Sequence, residues 1–230
     1  MPQKNTIRLF VADGFYHVYN RGVNKGDIFF DDQDHRVFLH LLKYYLSPIQ
    51  SLDKEHPLTD LIEIVRPRPI ANLEKEVDLV AYCLMPNHFH LLLKQNTVDG
   101  MTKLMRRVTT TFVLYMNKRH RRVGHLFQAK YKAALIEDEP YLLHVSRYIH
   151  TNPLALSGVT RSDLVKYPYS SYPYYLGHKR APWIKPQPIL DFFQKTKSLP
   201  LIGSNSYQAF VETLDFTYPK AIFGLLLDTE

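Results

Sequence analysis

The chain has 230 residues, 45% hydrophobic and 22% charged, a composition that excludes a disordered chain and suits one core, or one core plus an appendage. No apolar run is long enough for a membrane span, Met1 to Asn5 opens no signal-like segment, and the single cysteine, Cys83, leaves no disulfide framework or cysteine zinc site. The expectation is a cytoplasmic protein with no membrane partner, whose net charge of +7 suits a polyphosphate partner and whose metals, if any, rest on histidine and oxygen ligands.

Phe15 to Arg21 alternates in β-prone residues and ends at Gly22 before the polar loop Val23 to Gly26, which predicts a first strand and a turn. Asp31 or Asp32 can cap a helix running to about Leu46, with Val37, Phe38, Leu41, Leu42 and Tyr45 on one face. From Ser47 to Glu76 the periodicity degrades among prolines, which predicts a surface insertion between helix and sheet. Val77 to Met85 and His88 to Leu93 are apolar, β-prone runs separated by the turn pair Pro86-Asn87, a hairpin in the interior of a sheet. Alternation puts His88 and His90 on one face of it and Phe89, Leu91 and Leu93 on the other. These residues alone allow two readings: a metal held on a rigid floor, or two half-buried histidines hydrogen-bonded on a sheet face.

A second helix is expected from about Met101 to Lys118, striped by Leu104, Val108, Phe112 and Tyr115. Arg106, Arg107, Lys118, Arg119, Arg121, Arg122, Lys130 and Lys132 crowd this part of the chain, with His120 and His125 among them. The cluster fits a nucleic-acid partner, the plainer alternative being a solvated basic face. His125 to Ile136 alternates as a strand, with Lys130 and Lys132 on one side. Asp138 can cap a third helix that carries Pro140 in its first turn, runs to about Thr151 and is stopped by Pro153. Leu142, Val145 and Ile149 form its core stripe. Tyr148 and Asn152, four residues apart, stack beside that stripe. Read in isolation they are a core aromatic and the helix C-cap before Pro153. Short apolar pieces at 189–193 and 207–211 predict small helices in an appendage.

In combination the pieces resemble one family, the HUH single-tyrosine transposases, and within it the REP-associated tyrosine transposases and their insertion-sequence relatives. The resemblance is carried by Tyr16-His17-Val18-Tyr19-Asn20-Arg21-Gly22, by Met85-Pro86-Asn87-His88-Phe89-His90-Leu91-Leu92, by Gly124-His125-Leu126-Phe127-Gln128 with Tyr131, by Arg147-Tyr148-Ile149-His150-Thr151-Asn152-Pro153, and by Tyr167-Pro168-Tyr169-Ser170-Ser171-Tyr172. It implies an α+β fold, a ferredoxin-like antiparallel sheet flanked by helices (the HUH endonuclease fold). That domain spans residues 10–177, with a surface insertion at 47–76 and a small C-terminal helical appendage at 178–230.

The resemblance also implies a site. His88 and His90 become metal ligands, Asn152 completes the metal site, and Tyr148 becomes the nucleophile. The insertion-sequence branch usually carries glutamine at the Asn152 position and the REP-associated branch asparagine, which points to the second branch. The implied cofactor is a divalent metal, Mg²⁺ or Mn²⁺. The implied reaction nicks and rejoins single-stranded or hairpin DNA through a 5′-phosphotyrosine, with REP hairpins as the expected form of substrate. Asn20, Arg21 and the basic cluster would contact nucleic acid, and the protein would act as a monomer or homodimer. Two rival readings are a domesticated DNA binder without turnover and a metal hydrolase of small phosphorylated substrates.

Overall fold

Strand β1 (Gly14–Arg21) lies inside a four-stranded antiparallel sheet of order β2-β3-β1-β4, with β2 Val77–Met85, β3 His88–Gln95 and β4 Lys132–Ile136. The computed structural model describes residues 11–48, 72–195 and 206–212. The helices are α1 (Asp32–Leu46), α2 (Gly100–Arg119), α3 (Glu139–Thr151), the short α4 (Tyr172–Tyr175), α5 (Gln187–Lys195) and α6 (Tyr207–Glu212). Strand order and chain order together are those of a split β-α-β, the ferredoxin-like α+β arrangement expected from the sequence.

Pleating divides the side chains between two cores. Val18, Phe89, Leu91 and Leu93 face α1 and α2, where they bury Phe38, Leu41, Leu42, Leu104, Val108 and Phe112. Leu92, Cys83 and Met85 face the other way, where α3 contributes Leu142, Val145, Tyr148 and Ile149. A register shift between Leu79 and Ala81 changes the parity of β2, so that Val77 and Leu79 before it and Tyr82 and Leu84 after it face the same core.

Local chemistry sets the helix starts. The Asp31 carboxylate accepts from the Asp34 amide at 3.1 Å and caps α1, and the Asp138 carboxylate accepts from the Tyr141 amide at 2.6 Å and caps α3, with Pro140 in the first turn.

The outer edge of β2 is covered rather than left open. Leu84 donates its amide to the Tyr169 carbonyl, Ser171 to the Tyr82 carbonyl, and Lys185 to the Leu79 carbonyl, each at 2.9 Å. The appendage shares its core with the sheet domain: Ile189, Tyr207, Phe210 and Val211 lie in the same buried cluster as Tyr148 and Ile149.

One expected element is shorter than its alternation suggests. The strand expected from His125 begins only at Lys132, because Gly124 takes a φ of +94° and Phe127 makes an isolated bridge to Gly22. Lys130 therefore lies in an exposed loop and shares no strand face with Lys132. Most of the expected insertion, residues 49–71, lies outside the described residues.

Candidate active site

The antiparallel registers assemble one face. Tyr19 pairs with His90 and with Lys132, and Arg21 pairs with His88, so His17, Tyr19, Arg21, His88, His90 and Lys132 all point toward α3. Helix α3 lays Tyr148 onto this floor. The Tyr148 ring meets His90 edge-on with centroids 5.1 Å apart and His17 at 5.9 Å. One turn later Asn152 places its Oδ1 3.0 Å from His88 Nε2. The side chains of Tyr148, His88, His90 and Asn152 are all buried.

Hydrogen bonding around His88 and His90 leaves acceptors facing acceptors. Asn87 donates Nδ2 to the Lys25 carbonyl at 3.0 Å, which turns its Oδ1 toward His88 Nδ1 at 2.6 Å. Asn152 donates Nδ2 to the Tyr148 carbonyl at 3.3 Å, which turns its Oδ1 toward His88 Nε2. A neutral imidazole has one N–H, so it can satisfy only one of these oxygens. His90 Nδ1 lies 2.9 Å from His17 Nε2, while His90 Nε2 is buried with no hydrogen-bond partner among the described residues. Burial holds His17 down to about 3, and burial followed by the charges of His88, His17 and Arg21 holds His90 well below the usual histidine range. Both are neutral near pH 7 and have a lone pair to offer. His88 Nε2 and Asn152 Oδ1, with the His90 ring 4.9 Å from that of His88 between centroids, offer two imidazoles and one amide oxygen, a donor chemistry that suits a divalent metal ion. Among the described residues no group of three His, Cys, Asp or Glu side chains could hold a metal, so the set depends on the amide.

The turn beneath the site needs its glycine. A Cβ on Gly22 would lie 2.1 Å from the Gly26 carbonyl oxygen, so only glycine lets the loop fold back to bring the Lys25 carbonyl under Asn87.

The other sequence candidates scatter. Arg21 lies beside the site, its Nε buried without a partner among the described residues, and Lys132 sits over the Tyr19 ring at 5.8 Å. Asn20 points to the opposite face, is buried, and donates to the Ala129 carbonyl at 3.0 Å, so its side chain is engaged within the protein. Arg119 pairs with Asp31 and Asp34. Arg107 lies 5.8 Å over Tyr45 and Arg122 lies 5.7 Å over Phe30. Arg106, Lys118, Arg121 and Lys130 are exposed. The α2 cations belong to the layer opposite Tyr148. The loops, however, bring the turn after α2 to the same end of the sheet as His88: Val23 bonds the Leu126 carbonyl, and Ile28 and Phe29 bond the Pro86 carbonyl. Sequence reasoning missed His17 and Asn87, which lie inside the quoted motifs; alternation puts His17 on the Tyr19 face, but only the β1–β3 register shows it meeting His90.

A ferredoxin-like sheet with a His-hydrophobic-His strand, crossed by a helix bearing a tyrosine and an asparagine one turn apart, is the arrangement that the resemblance to single-tyrosine transposases implies. Residues 58–152, which include all four of these side chains, match the family described as Transposase IS200 like. Among solved structures the chain is similar to a REP-associated tyrosine transposase bound to a REP hairpin, with a TM-score of 0.50 and 14% identity, covering 78% of this chain and 90% of that one; at this identity the likeness shows the fold. A comparison with curated proteins finds no match. Among the described residues no helix is long and apolar enough to cross a membrane.

Proposed function

We propose that the chain is a metal-dependent DNA endonuclease and strand transferase that nicks and rejoins single-stranded or hairpin DNA through a 5′-phosphotyrosine on Tyr148. The observation that carries this reading is the convergence, within one chain, of the Tyr148 ring on His90 and of Asn152 on His88. The match of residues 58–152 to the Transposase IS200 like family supports a transposase role with DNA as partner, and the neighbouring structure bound to a REP hairpin supports the hairpin preference.

His88, His90 and Asn152 would hold Mg²⁺ or Mn²⁺. When bound, such an ion supplies positive charge to the phosphoryl oxygens and positions the scissile phosphate. Tyr148 supplies the nucleophile: its oxygen bonds to phosphorus as its proton passes to solvent water, and the P–O3′ bond breaks, the departing oxygen taking a proton from water to leave a 3′-hydroxyl. The reverse attack by a 3′-hydroxyl releases the tyrosine and joins the strands, so bond energy is conserved. Helix α3 keeps the phenol directly over the imidazole floor, a positioning that removes much of the entropic barrier to in-line attack. Arg21, next to His88 in the register, would bind a phosphoryl oxygen, and Lys132 beside Tyr19 would take the neighbouring phosphate.

The test is incubation of the full chain with labelled hairpin DNA and Mn²⁺, reading a covalent protein–DNA adduct on a denaturing gel. An adduct that requires the metal supports the proposal. Hairpin binding with no adduct under any metal condition would favour the domesticated binder.

A further inference from the structure

We infer that His17 and Asn87 are positioning residues that set the tautomers of the two metal-binding imidazoles; the inference rests on the metal reading above. A histidine can give a metal its Nε2 lone pair only when the ring proton sits on Nδ1, and that proton needs an acceptor. Each ligand histidine here has such an acceptor, and each comes from a different element.

Asn87 serves His88. Its Oδ1 lies 2.6 Å from His88 Nδ1, and its Nδ2 is tied to the Lys25 carbonyl, so the amide cannot flip without losing that bond. A hydrogen on Nδ1 lets His88 donate to Asn87 and leaves its Nε2 lone pair facing Asn152 Oδ1. Two lone pairs 3.0 Å apart repel unless a cation or a proton lies between them. A proton on His88 Nε2 would answer this pair alone and leave His90 Nε2 without a partner, whereas a divalent cation answers all three atoms.

His17 serves His90. Were the shared hydrogen on His17 Nε2, His90 would have to carry its own hydrogen on Nε2, a buried N–H with no acceptor among the described residues; such an orphaned donor is destabilising by about 1–3 kcal/mol. With the hydrogen on His90 Nδ1, His17 Nε2 accepts and His90 Nε2 keeps its lone pair. His17 also packs against the rings of Tyr19 and Tyr148, which fixes its own plane. It stands on β1, the strand next to β3, and its ring lies nearly parallel to that of His90, with an interplanar angle of 21°. Register rather than sequence proximity brings it to the site.

The experiment has two readouts on the full chain. The ¹⁵N shifts of the histidine rings, measured without metal, report the tautomers; His88 and His90 are expected to carry their hydrogens on Nδ1 and His17 to keep Nε2 unprotonated. Mn²⁺ alone, titrated and followed by the electron paramagnetic resonance signal of the free ion, reports affinity. His17→Phe and Asn87→Ala should each weaken Mn²⁺ binding by about 10- to 100-fold. His17→Gln retains a carbonyl acceptor and should bind Mn²⁺ within about threefold of the unaltered protein, a rescue that a loss of packing alone would not give. His90 carrying its hydrogen on Nε2 in the unaltered protein, or Mn²⁺ affinity unchanged in both His17→Phe and Asn87→Ala, would overturn the inference while leaving the metal reading in place. No Mn²⁺ uptake by the unaltered protein would overturn the metal reading and this inference together. Should His17→Phe fail to fold, the Asn87→Ala affinity and the tautomers of the unaltered protein still decide.

Discussion

On the α1–α2 face of the sheet, Asp34 has no exposed surface, yet its carboxylate accepts from the Phe30 amide at 2.9 Å and the Tyr115 hydroxyl at 3.0 Å and pairs with Arg119 and His120. On the α3 face, His90 is as deeply buried and its Nε2 has no partner among the described residues, while His88 stands between two oxygens of which it can satisfy one. Both carboxylate and imidazole are buried, and the accounting at these two sites differs. A buried group whose bonding is complete holds structure together; buried acceptors left facing each other are where, on the proposed reading, a cation and a substrate phosphate would complete the set.

The comparison can be broken first from the α3 side. His88→Ala and His90→Ala should each lower adduct formation by at least about 100-fold while hairpin affinity, read by filter binding, stays within a few fold. Robust nicking by the double variant would remove the distinction between the faces.

The α1–α2 side should answer with stability instead. Asp34→Ala leaves Tyr115 and His120 without their shared acceptor and should lower unfolding free energy by about 2–4 kcal/mol; Tyr115→Phe, which removes one hydroxyl, should cost about 1 kcal/mol. Denaturant titration checks both. The Tyr115→Phe protein, once folded, should form adduct at the unaltered rate.

Surface charge should act on binding alone. Neutralising the exposed Arg106, Lys118 and Arg121 should reduce the slope of log affinity against log salt by about 0.7 for each lost contact with single-stranded DNA. Adduct yield at saturating DNA should be unchanged. A slope equal to that of the unaltered protein would make this cluster a solvated face. Arg119 is omitted because its guanidinium is committed to Asp31 and Asp34.

The smallest effect concerns pH. His35 lies between the rings of Phe29 and Tyr169, at centroid distances of 4.3 and 3.8 Å, and burial lowers its pKa below 6.5, outweighing the Asp31 carbonyl and the nearby carboxylates that raise it. The folded state thus favours the neutral ring. As pH falls below 6.5 the unfolded chain takes up a proton first, so this contribution to stability is present above that pH and is lost as pH drops toward the depressed folded value. His35→Gln should flatten part of the decline in melting temperature between neutral and mildly acid pH; an unchanged profile would contradict the assignment.

Much of this architecture was legible in the residues. Alternation in β3 separates His88 and His90 from Phe89 and Leu91, and the spacing of four between Tyr148 and Asn152 survives in the structure as one helix face meeting one strand face. The caps at Asp31 and Asp138 were readable because a carboxylate before an amphipathic run has one cheap use. Strand pairing was not readable. His17 meets His90 only through the β1–β3 register, which depends on tertiary contacts between residues 73 apart. The strand expected from His125 failed for a related reason: alternation marks residues able to form a strand, while Gly124 and the bond from Asn20 to the Ala129 carbonyl hold that stretch out of the sheet until Lys132.

The central claim is that the phenol over the imidazole floor, and not the phenol bonded to Asp34, does the chemistry. Mass-spectrometric mapping of the adduct formed with hairpin DNA and Mn²⁺ tests this most directly, with Tyr148→Phe run alongside. The account predicts DNA joined by a 5′-phosphate to a peptide containing Tyr148, and no adduct in Tyr148→Phe, which should remain folded and bind the hairpin as before. DNA joined to a peptide containing Tyr115, or adduct persisting in Tyr148→Phe, would contradict it.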